Sequence, residues 1–193
     1  MRKKREIKNG FSYHITARIN RQEFIFDSAN IKEMFMDTLR RAKFKYKFLI
    51  KNFCIMNNHI HFILKPLQGQ SLSKIMQWIL SVFAQKYNKF FGLKGHVWQD
   101  RFKSKIIESF RQYLNTFIYI SNNPVKAGIV NTAVDFQYNG ITDIQKGCMD
   151  IIERPPNRIL KVIWKLLNSK KFQKSLRVNK NIINLTIFKL PTS

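Results

Sequence analysis

The sequence is poor in cysteine, and this narrows the classes of protein that it can form. Its 193 residues contain two cysteines, Cys54 and Cys148, which stand in unlike contexts without CxxC spacing. This argues against a disulfide framework and against a zinc ribbon. We interpret Cys54 as a small core residue.

Long hydrophobic runs are absent as well. Stretches such as Phe62 to Leu64 and Ile118 to Ile120 are far too short to span a bilayer, so we expect no transmembrane helix and no membrane partner. The charged N-terminus, Met1 to Arg5, continues into Glu6 and Lys8 without the apolar core of a secretory signal. We therefore expect a cytoplasmic protein.

Acidic residues are scarce relative to basic ones. Eleven Asp and Glu oppose 35 Lys and Arg, which gives a formal net charge of +24. Solubility needs far less charge, so we expect a polyanionic partner, with nucleic acid favoured over a membrane surface. The candidate phosphate contacts that do not read sequence are Lys3, Lys4, Arg5, Lys170, Lys171 and Lys174. The alternative for these residues is a solvated basic face.

The first part of the chain has the patterns of one helix and three strands. Alternation of apolar and polar residues predicts a half-buried strand from Phe11 to Ile19. Apolar residues at three- and four-residue spacing predict an amphipathic helix from Ile31 to Tyr46. Two β-rich runs follow, Phe48 to Met56 and His59 to Lys65, and the Asn57-Asn58 pair between them suits a tight hairpin.

The next part completes a recognisable order of elements. Ser71 is a suitable cap for a long helix that continues to about Phe91. Lys103 to Glu108 predicts a fourth strand, and Phe110 to about Asn122 predicts a third helix that Pro124 ends. The order βαββαβα predicts an α+β fold of the ferredoxin-like type. In it, two helices cover one face of an antiparallel sheet of about four strands, and the last helix can lie across the other face.

We expect residues 1–140 to form this domain. Residues 141–193 are a basic C-terminal extension whose clearest element is a short helix from Asn157 to Leu167. We interpret the extension as a packing or nucleic-acid-binding arm.

Four side chains form the chemical signal in the sequence. His59 and His61 lie two apart in a strand, so both imidazoles point to one side of the sheet and can bind one cation together. Tyr119 and Asn123 are four residues apart near the end of the third helix, which places a phenol hydroxyl beside an amide. The alternatives are solvated strand histidines, a Tyr119 that packs in the core and an Asn123 that caps the helix.

Three segments together resemble one protein family. Met56-Asn-Asn-His-Ile-His61, Trp98-Gln-Asp-Arg-Phe102 and Tyr119-Ile-Ser-Asn-Asn-Pro-Val-Lys-Ala-Gly128 are similar to motifs of the REP-associated tyrosine transposases. These are small single-strand DNA transposases of the HUH superfamily, related to those of bacterial insertion sequences. The resemblance covers roughly residues 11–130. Asn57 stands where the family often has proline, which alters the stiffness of the turn and leaves the histidines in place.

The resemblance implies a role for each matching residue. Tyr119 would be the nucleophile, His59 and His61 would ligate a divalent cation, and Asn123 occupies the place of a third ligand. Mg²⁺ or Mn²⁺ is the implied ion, since an amide and phosphate oxygens suit such ions. Attack on single-stranded DNA would leave a 5′-phosphotyrosine bond and a free 3′-hydroxyl, and reversal with another strand end would rejoin the DNA.

Further candidates for nucleic-acid binding are Arg18, Trp98 and Arg101. An indole can stack on an unpaired base, and a guanidinium can bind a phosphate. For Trp98, filling the core is an equally good interpretation. His14 lies on the polar face of the first strand and can approach substrate, but we interpret it as a satisfied surface histidine.

The sequence therefore predicts a DNA transposase, a monomer or homodimer associated with the bacterial nucleoid. The alternative from a different class is a non-catalytic protein that binds hairpin DNA or RNA with a ferredoxin-like sheet and basic arms. A plasmid-replication nickase of the HUH superfamily is a third hypothesis, disfavoured because that family usually carries additional domains.

Overall fold

A computed structural model of the chain describes residues 7–169. In chain order, its elements are β1 (Ser12–Arg18), α1 (Ala29–Lys45), β2 (Phe48–Ile55), β3 (His59–Pro66), α2 (Leu72–Phe91), β4 (Lys103–Ile107), α3 (Phe110–Ser121), α4 (Asn123–Lys126), α5 (Gly140–Lys146) and α6 (Asn157–Leu167). The predicted order βαββαβα is confirmed as far as α3. No helix within residues 7–169 is long and apolar enough to cross a membrane.

The four strands form one antiparallel sheet in the order β2-β3-β1-β4, as a ferredoxin-like plan requires. The two central strands pair with Thr16 opposite His61 and Arg18 opposite His59. Residues that lie opposite each other on antiparallel strands share a face of the sheet. The polar residues of β1 and both histidines of β3 therefore lie on the same face.

The other face of the sheet is apolar and is covered by α1 and α2. Ile15 and Phe62 lie opposite each other on this face and are fully buried. Phe35 of α1 packs against Phe62 at a centroid distance of 6.2 Å and against Phe83 of α2 at 5.1 Å. Burial of such a side chain stabilises the fold by about 2 to 3 kcal/mol. The face covered by α1 and α2 therefore forms the main core, and the opposite face of the sheet carries the polar residues.

Helix α3 is fixed to the polar face by one buried amide. Asn52 lies next to a register shift in β2, and its Nδ2 donates to the Phe117 carbonyl oxygen at 2.9 Å and to the Ser121 hydroxyl oxygen at 3.0 Å. Its Oδ1 accepts from the backbone N–H of Phe53. A buried amide with these partners avoids the cost of an unpaired polar group, so it fixes α3 across the sheet.

The segment after α4 returns to the edge of the sheet. Asn139 forms an isolated bridge with Cys54, and Ile152 forms another with Ile50. Gly140 approaches β2 so closely that a Cβ would lie 2.5 Å from Asn52 Oδ1. Cys54 is buried, as predicted. The division into a domain of residues 1–140 and an extension of residues 141–193 stays a prediction, since only part of the extension is described.

Two short helices, α4 and α5, lie where none is predicted. The expected position of Asn123 on the third helix is wrong, because α3 ends at Ser121 and α4 begins at Asn123. Pro124 explains the break: it lacks an N–H and is tolerated in the first turn of a helix rather than in its interior. Asn122 between the two helices keeps a near-helical backbone, with φ −89° and ψ 2°. The backbone therefore continues in a right-handed turn from α3 into α4.

Candidate active site

The polar face of the sheet brings His59, His61 and Tyr119 together beneath α3. The His59 and His61 ring centroids are 4.9 Å apart, and those of His61 and Tyr119 are 5.6 Å apart at an angle of 88°. His61 is 5% exposed, and the other two side chains are half-buried. All three belong to one chain, so a single copy assembles the group.

Both histidines have Nδ1 engaged by neighbouring polar atoms. His59 Nδ1 lies 2.7 Å from Asn58 Oδ1. His61 Nδ1 lies 3.1 Å from His14 Nε2 and 3.2 Å from Thr16 Oγ1. A metal-ligating imidazole commonly uses its second nitrogen in this way, which fixes its tautomer and its orientation. The Nε2 atoms of both rings are the nitrogens left for a cation.

Burial keeps these imidazoles uncharged. It lowers the pKa of His59 to about 4, and the positive charge of Arg18 adds to the effect. For His61, burial first, and then the neighbouring cationic and imidazole groups, lower the pKa well below its ordinary value. Neutral imidazole is the form that ligates a metal ion, so both rings are in the ligating state at neutral pH.

Two cationic side chains act on Tyr119. The Lys126 ammonium lies 4.4 Å from the centre of the tyrosine ring. Burial raises the pKa of Tyr119, and the positive charge of Arg18 lowers it in part. Burial also lowers the pKa of Lys126. The resting tyrosine therefore keeps its proton, and the surrounding charge favours any negative charge that forms there.

Asn123 fits a cation by its chemistry. It is 9% exposed, and its amide nitrogen is buried with no hydrogen-bond partner among the described residues. Rotation of the amide can place its oxygen at that position instead, and amide oxygen suits a hard divalent ion. No three His, Cys, Asp or Glu side chains within residues 7–169 are arranged to hold a metal. The role of Asn123 as a third ligand beside His59 and His61 stays a prediction.

A cavity of about 390 Å³ opens beside Tyr119, between β4 and α3. Lys105 lies opposite His14 in the β1–β4 pairing, and both line this cavity. The remaining lining residues are Ile106, Ile107, Gln112, Asn115, Thr116 and Tyr119. The cavity offers a positive charge, amides and a hydroxyl next to the phenol, a combination that suits a polar or anionic ligand.

The candidates for nucleic-acid binding separate in space. Arg18 joins the group, opposite His59. The Trp98 side chain packs instead among Phe26, Phe35 and Phe83, and its Nε1 donates to the Leu80 carbonyl oxygen at 2.9 Å. This placement matches the interpretation that Trp98 fills the core.

Arg101 is exposed and lines, with Trp98, a separate cavity of about 610 Å³ against α2. Lys3, Lys4 and Arg5 lie outside the described residues, as do Lys170, Lys171 and Lys174. The roles of all these residues in binding stay predictions, and so do the roles of the nucleophile and the ligands.

Sequence patterns do not identify three residues that lie close to His61 or Tyr119, namely His14, Thr16 and Lys126. The interpretation of His14 as a surface histidine is wrong: its ring is half-buried and contacts both His61 and Tyr119. The period-two pattern of β1 places His14 and Thr16 on one face, but only the pairing with β3 shows what they touch. Lys126 depends on the turn between α3 and α4, which the sequence does not reveal.

Comparison with known families gives a direct result. The family described as "Transposase IS200 like" matches residues 7–123, more than half of the chain. The chain belongs to the IS200-like transposases. The matched residues include β1, the two histidines of β3, and Tyr119 and Asn123.

Two solved structures resemble this IS200-like transposase. One is a REP-associated tyrosine transposase bound to a REP hairpin, with 23% identity, a TM-score of 0.65, and coverage of 81% of this chain and 92% of that chain; it shows the same fold. The other is a protein from Deinococcus radiodurans R1 that was assigned as a transposase, with 15% identity, a TM-score of 0.45, and coverage of 63% and 97%. Comparison with curated proteins found no match.

Proposed function

We propose that this transposase cleaves and rejoins single-stranded DNA beside a hairpin, with Tyr119 as its nucleophile. A divalent cation, Mg²⁺ or Mn²⁺, would be held by His59, His61 and Asn123. The observation that carries the proposal is the packing of Tyr119 against His61 at 5.6 Å, with the Nε2 atoms of both histidines left for a ligand.

The proposed reaction exchanges one phosphodiester for another. The Tyr119 oxygen attacks a backbone phosphorus atom, the bond from phosphorus to the 3′-oxygen breaks, and a 5′-phosphotyrosine bond forms. The phenol loses its proton to solvent or a base, and the departing 3′-oxygen takes one up. The 3′-hydroxyl of another strand end can then attack the phosphotyrosine and restore the tyrosine. One ester bond replaces another in each step, so no ATP is needed.

The cationic residues around Tyr119 suit this chemistry. A bound divalent cation would polarise a non-bridging phosphate oxygen and offset its charge. Arg18 and Lys126 lie close enough to act on the tyrosine and on an anionic phosphate beside it. The cavity lined by Lys105 and Asn115 gives room for a nucleotide next to the phosphate.

The hairpin in the proposal has separate support. The solved REP-associated relative is bound to a REP hairpin, and the net charge of +24 suits a folded nucleic acid with closely spaced phosphates. The proposal fits a monomer, in which one chain holds the whole group, and a homodimer, which would hold two such groups. Nucleoid association follows from the proposed binding to DNA.

The test is the formation of a covalent adduct. Purified protein is incubated with a labelled library of single-stranded hairpins and Mg²⁺ or Mn²⁺, and the products are separated on a denaturing gel. We expect a protein–DNA adduct that disappears in Tyr119→Phe and on addition of EDTA. Tyr113→Phe, six residues earlier on α3, is the matched control and should keep the adduct.

The same experiment tests the alternative. Tight, salt-sensitive binding to the hairpins without an adduct in either metal would reject the nucleophile and favour a non-catalytic hairpin-binding protein. An adduct that persists in Tyr119→Phe would assign the chemistry to another side chain.

A further inference from the structure

His14 makes the closest polar contact with the candidate ligand His61. Its Nε2 lies 3.1 Å from His61 Nδ1, and the two ring centroids are 5.3 Å apart with an inclination of 28°. A centroid separation well above the distance between the nitrogens means that the rings meet edge to edge. This is the geometry of a hydrogen bond between two imidazole nitrogens.

The contact restricts which nitrogen of His61 can bind a cation. His14 Nε2 and Thr16 Oγ1 both lie against His61 Nδ1, at 3.1 and 3.2 Å, so an ion has no room at that atom. Only Nε2 of His61 remains. A nitrogen that ligates a cation carries no hydrogen, so the hydrogen of the neutral ring must be on Nδ1.

His14 also touches the candidate nucleophile. Its ring centroid lies 5.7 Å from that of Tyr119, at an angle of 70°. The corresponding distances are 5.3 Å from His14 to His61 and 5.6 Å from His61 to Tyr119. The three rings form a nearly equilateral triangle, so His14 packs against both His61 and Tyr119.

We propose that His14 is a positioning residue, which accepts the Nδ1 hydrogen of His61 and so directs the lone pair of His61 Nε2 at the cation. The cation part of this inference rests on the proposed function. The hydrogen bond itself can be measured in the protein without any metal, so it can be tested independently of the proposed cation binding.

The first measurement identifies the tautomer of His61 in the metal-free protein. The chain has four histidines, so long-range ¹H–¹⁵N NMR spectra of labelled protein at neutral pH resolve each ring. We expect His61 to carry its hydrogen on Nδ1 in the native chain. In the double variant His14→Phe with Thr16→Val, both neighbours of Nδ1 are removed and the Nε2–H form should become populated. A native His61 with its hydrogen on Nε2 overturns the inference.

The second measurement is the affinity of the protein for Mn²⁺ without DNA, with EPR as the readout of bound Mn²⁺. We expect His14→Phe to weaken Mn²⁺ binding by about 10-fold or more, as loss of a partner behind a metal ligand commonly does. His14→Gln offers an amide oxygen to the same hydrogen and should restore most of the affinity. His96→Phe changes an exposed histidine and is the control.

The outcomes are distinct. Equal Mn²⁺ affinity in the native chain and in a folded His14→Phe variant overturns the positioning role. If His14→Phe does not fold, His14→Ala removes the same acceptor with less volume and the same prediction applies. Absence of Mn²⁺ binding in the native chain contradicts the proposed function and the cation part of the inference, and the NMR tautomer then decides the hydrogen bond by itself.

Discussion

The side-chain amide of Asn52 donates a 2.9 Å hydrogen bond to the backbone carbonyl oxygen of Phe117. The bond joins strand β2 to helix α3 two residues before Tyr119. A second bond from the same amide reaches Ser121, two residues after it. Tyr119 therefore lies between two residues of α3 that the buried Asn52 side chain anchors to β2.

Asn52→Ala should loosen α3. It removes three buried hydrogen bonds and leaves a small void, so we expect the free energy of unfolding to fall by about 2 to 3 kcal/mol. Adduct formation should fall as well, since the Tyr119 ring loses its fixed position. Urea unfolding and the adduct assay measure the two effects. Asn168→Ala, at an exposed position after α6, should change neither.

Gly140→Ala should detach the segment that follows α4 from the sheet. The new Cβ would lie 2.5 Å from Asn52 Oδ1 and 2.6 Å from Ile152 Cδ1, which is closer than real atoms approach. We expect a loss of about 1 to 3 kcal/mol, the usual cost of overpacking. Gly147→Ala is the comparison, because its Cβ meets no atom within 4 Å and its cost comes from φ +74° alone. A smaller loss at Gly140 than at Gly147 in thermal unfolding contradicts this account.

Lys126→Met tests the charge beside the tyrosine. Removal of the ammonium 4.4 Å from the ring centre should slow adduct formation by roughly 100-fold, the scale for loss of one group that stabilises developing negative charge. Lys126→Arg keeps the charge and should keep most of the rate. Lys146→Met removes an exposed charge on α5. If both methionine variants slow the reaction equally, the effect belongs to general DNA attraction.

The half-buried histidines His59 and His14 predict a pH dependence of stability. The folded pKa of His59 is about 4, below its ordinary value of 6.5. Between these values the unfolded chain binds more protons at His59 than the folded chain does. Its contribution to the free energy of unfolding therefore rises with pH across this window and is constant above it. His14, with a pKa also lowered to about 4 by burial and by Lys105, acts in the same direction.

The measurement is urea unfolding at several pH values from about 4 to 7 with EDTA present. His59→Phe should show a shallower rise than the native chain, by about 1 to 3 kcal/mol over the window. Burial raises the pKa of Asp143 to about 7, which acts in the opposite direction in both proteins. The difference between them therefore reports His59 together with its effect on the pKa of the neighbouring His61. Parallel curves for the two proteins would mean that His59 titrates normally in the fold.

The fold can be predicted from the sequence because the patterns that indicate its helices and strands are local. Alternation in β1, the Asn57-Asn58 hairpin and the helix cap at Ser71 each act over a few residues. The structure reproduces all three: β1 alternates in burial, β2 and β3 pair, and Ser71 accepts from Lys74 N–H. The pairing of Asn139 with Cys54 joins residues far apart in sequence, so no local pattern predicts it.

The candidate site was only partly accessible. The spacing of His59 and His61 in a strand predicts a shared face, and the structure places them together. The contact between His14 and His61 depends on the register of β1 against β3, in which Thr16 lies opposite His61. Local periodicity defines the face of a residue but not its neighbour on the next strand. For this reason the pattern of β1 favours a surface histidine at position 14, where the structure has a half-buried one.

The segment that returns to β2 also limits how the sheet meets other chains. An open edge offers unpaired N–H and C=O groups on which a foreign strand can add. At the β2 edge, the Ile55 N–H donates to the Tyr138 carbonyl oxygen, and the Ile50 carbonyl oxygen accepts from the Glu153 N–H. The opposite edge, β4, carries exposed lysines at 103 and 105, which repel a like-charged copy. Aggregation through strand addition is therefore disfavoured at both edges. The returning segment already pairs with the β2 edge, and the lysines of β4 repel a second copy of that edge.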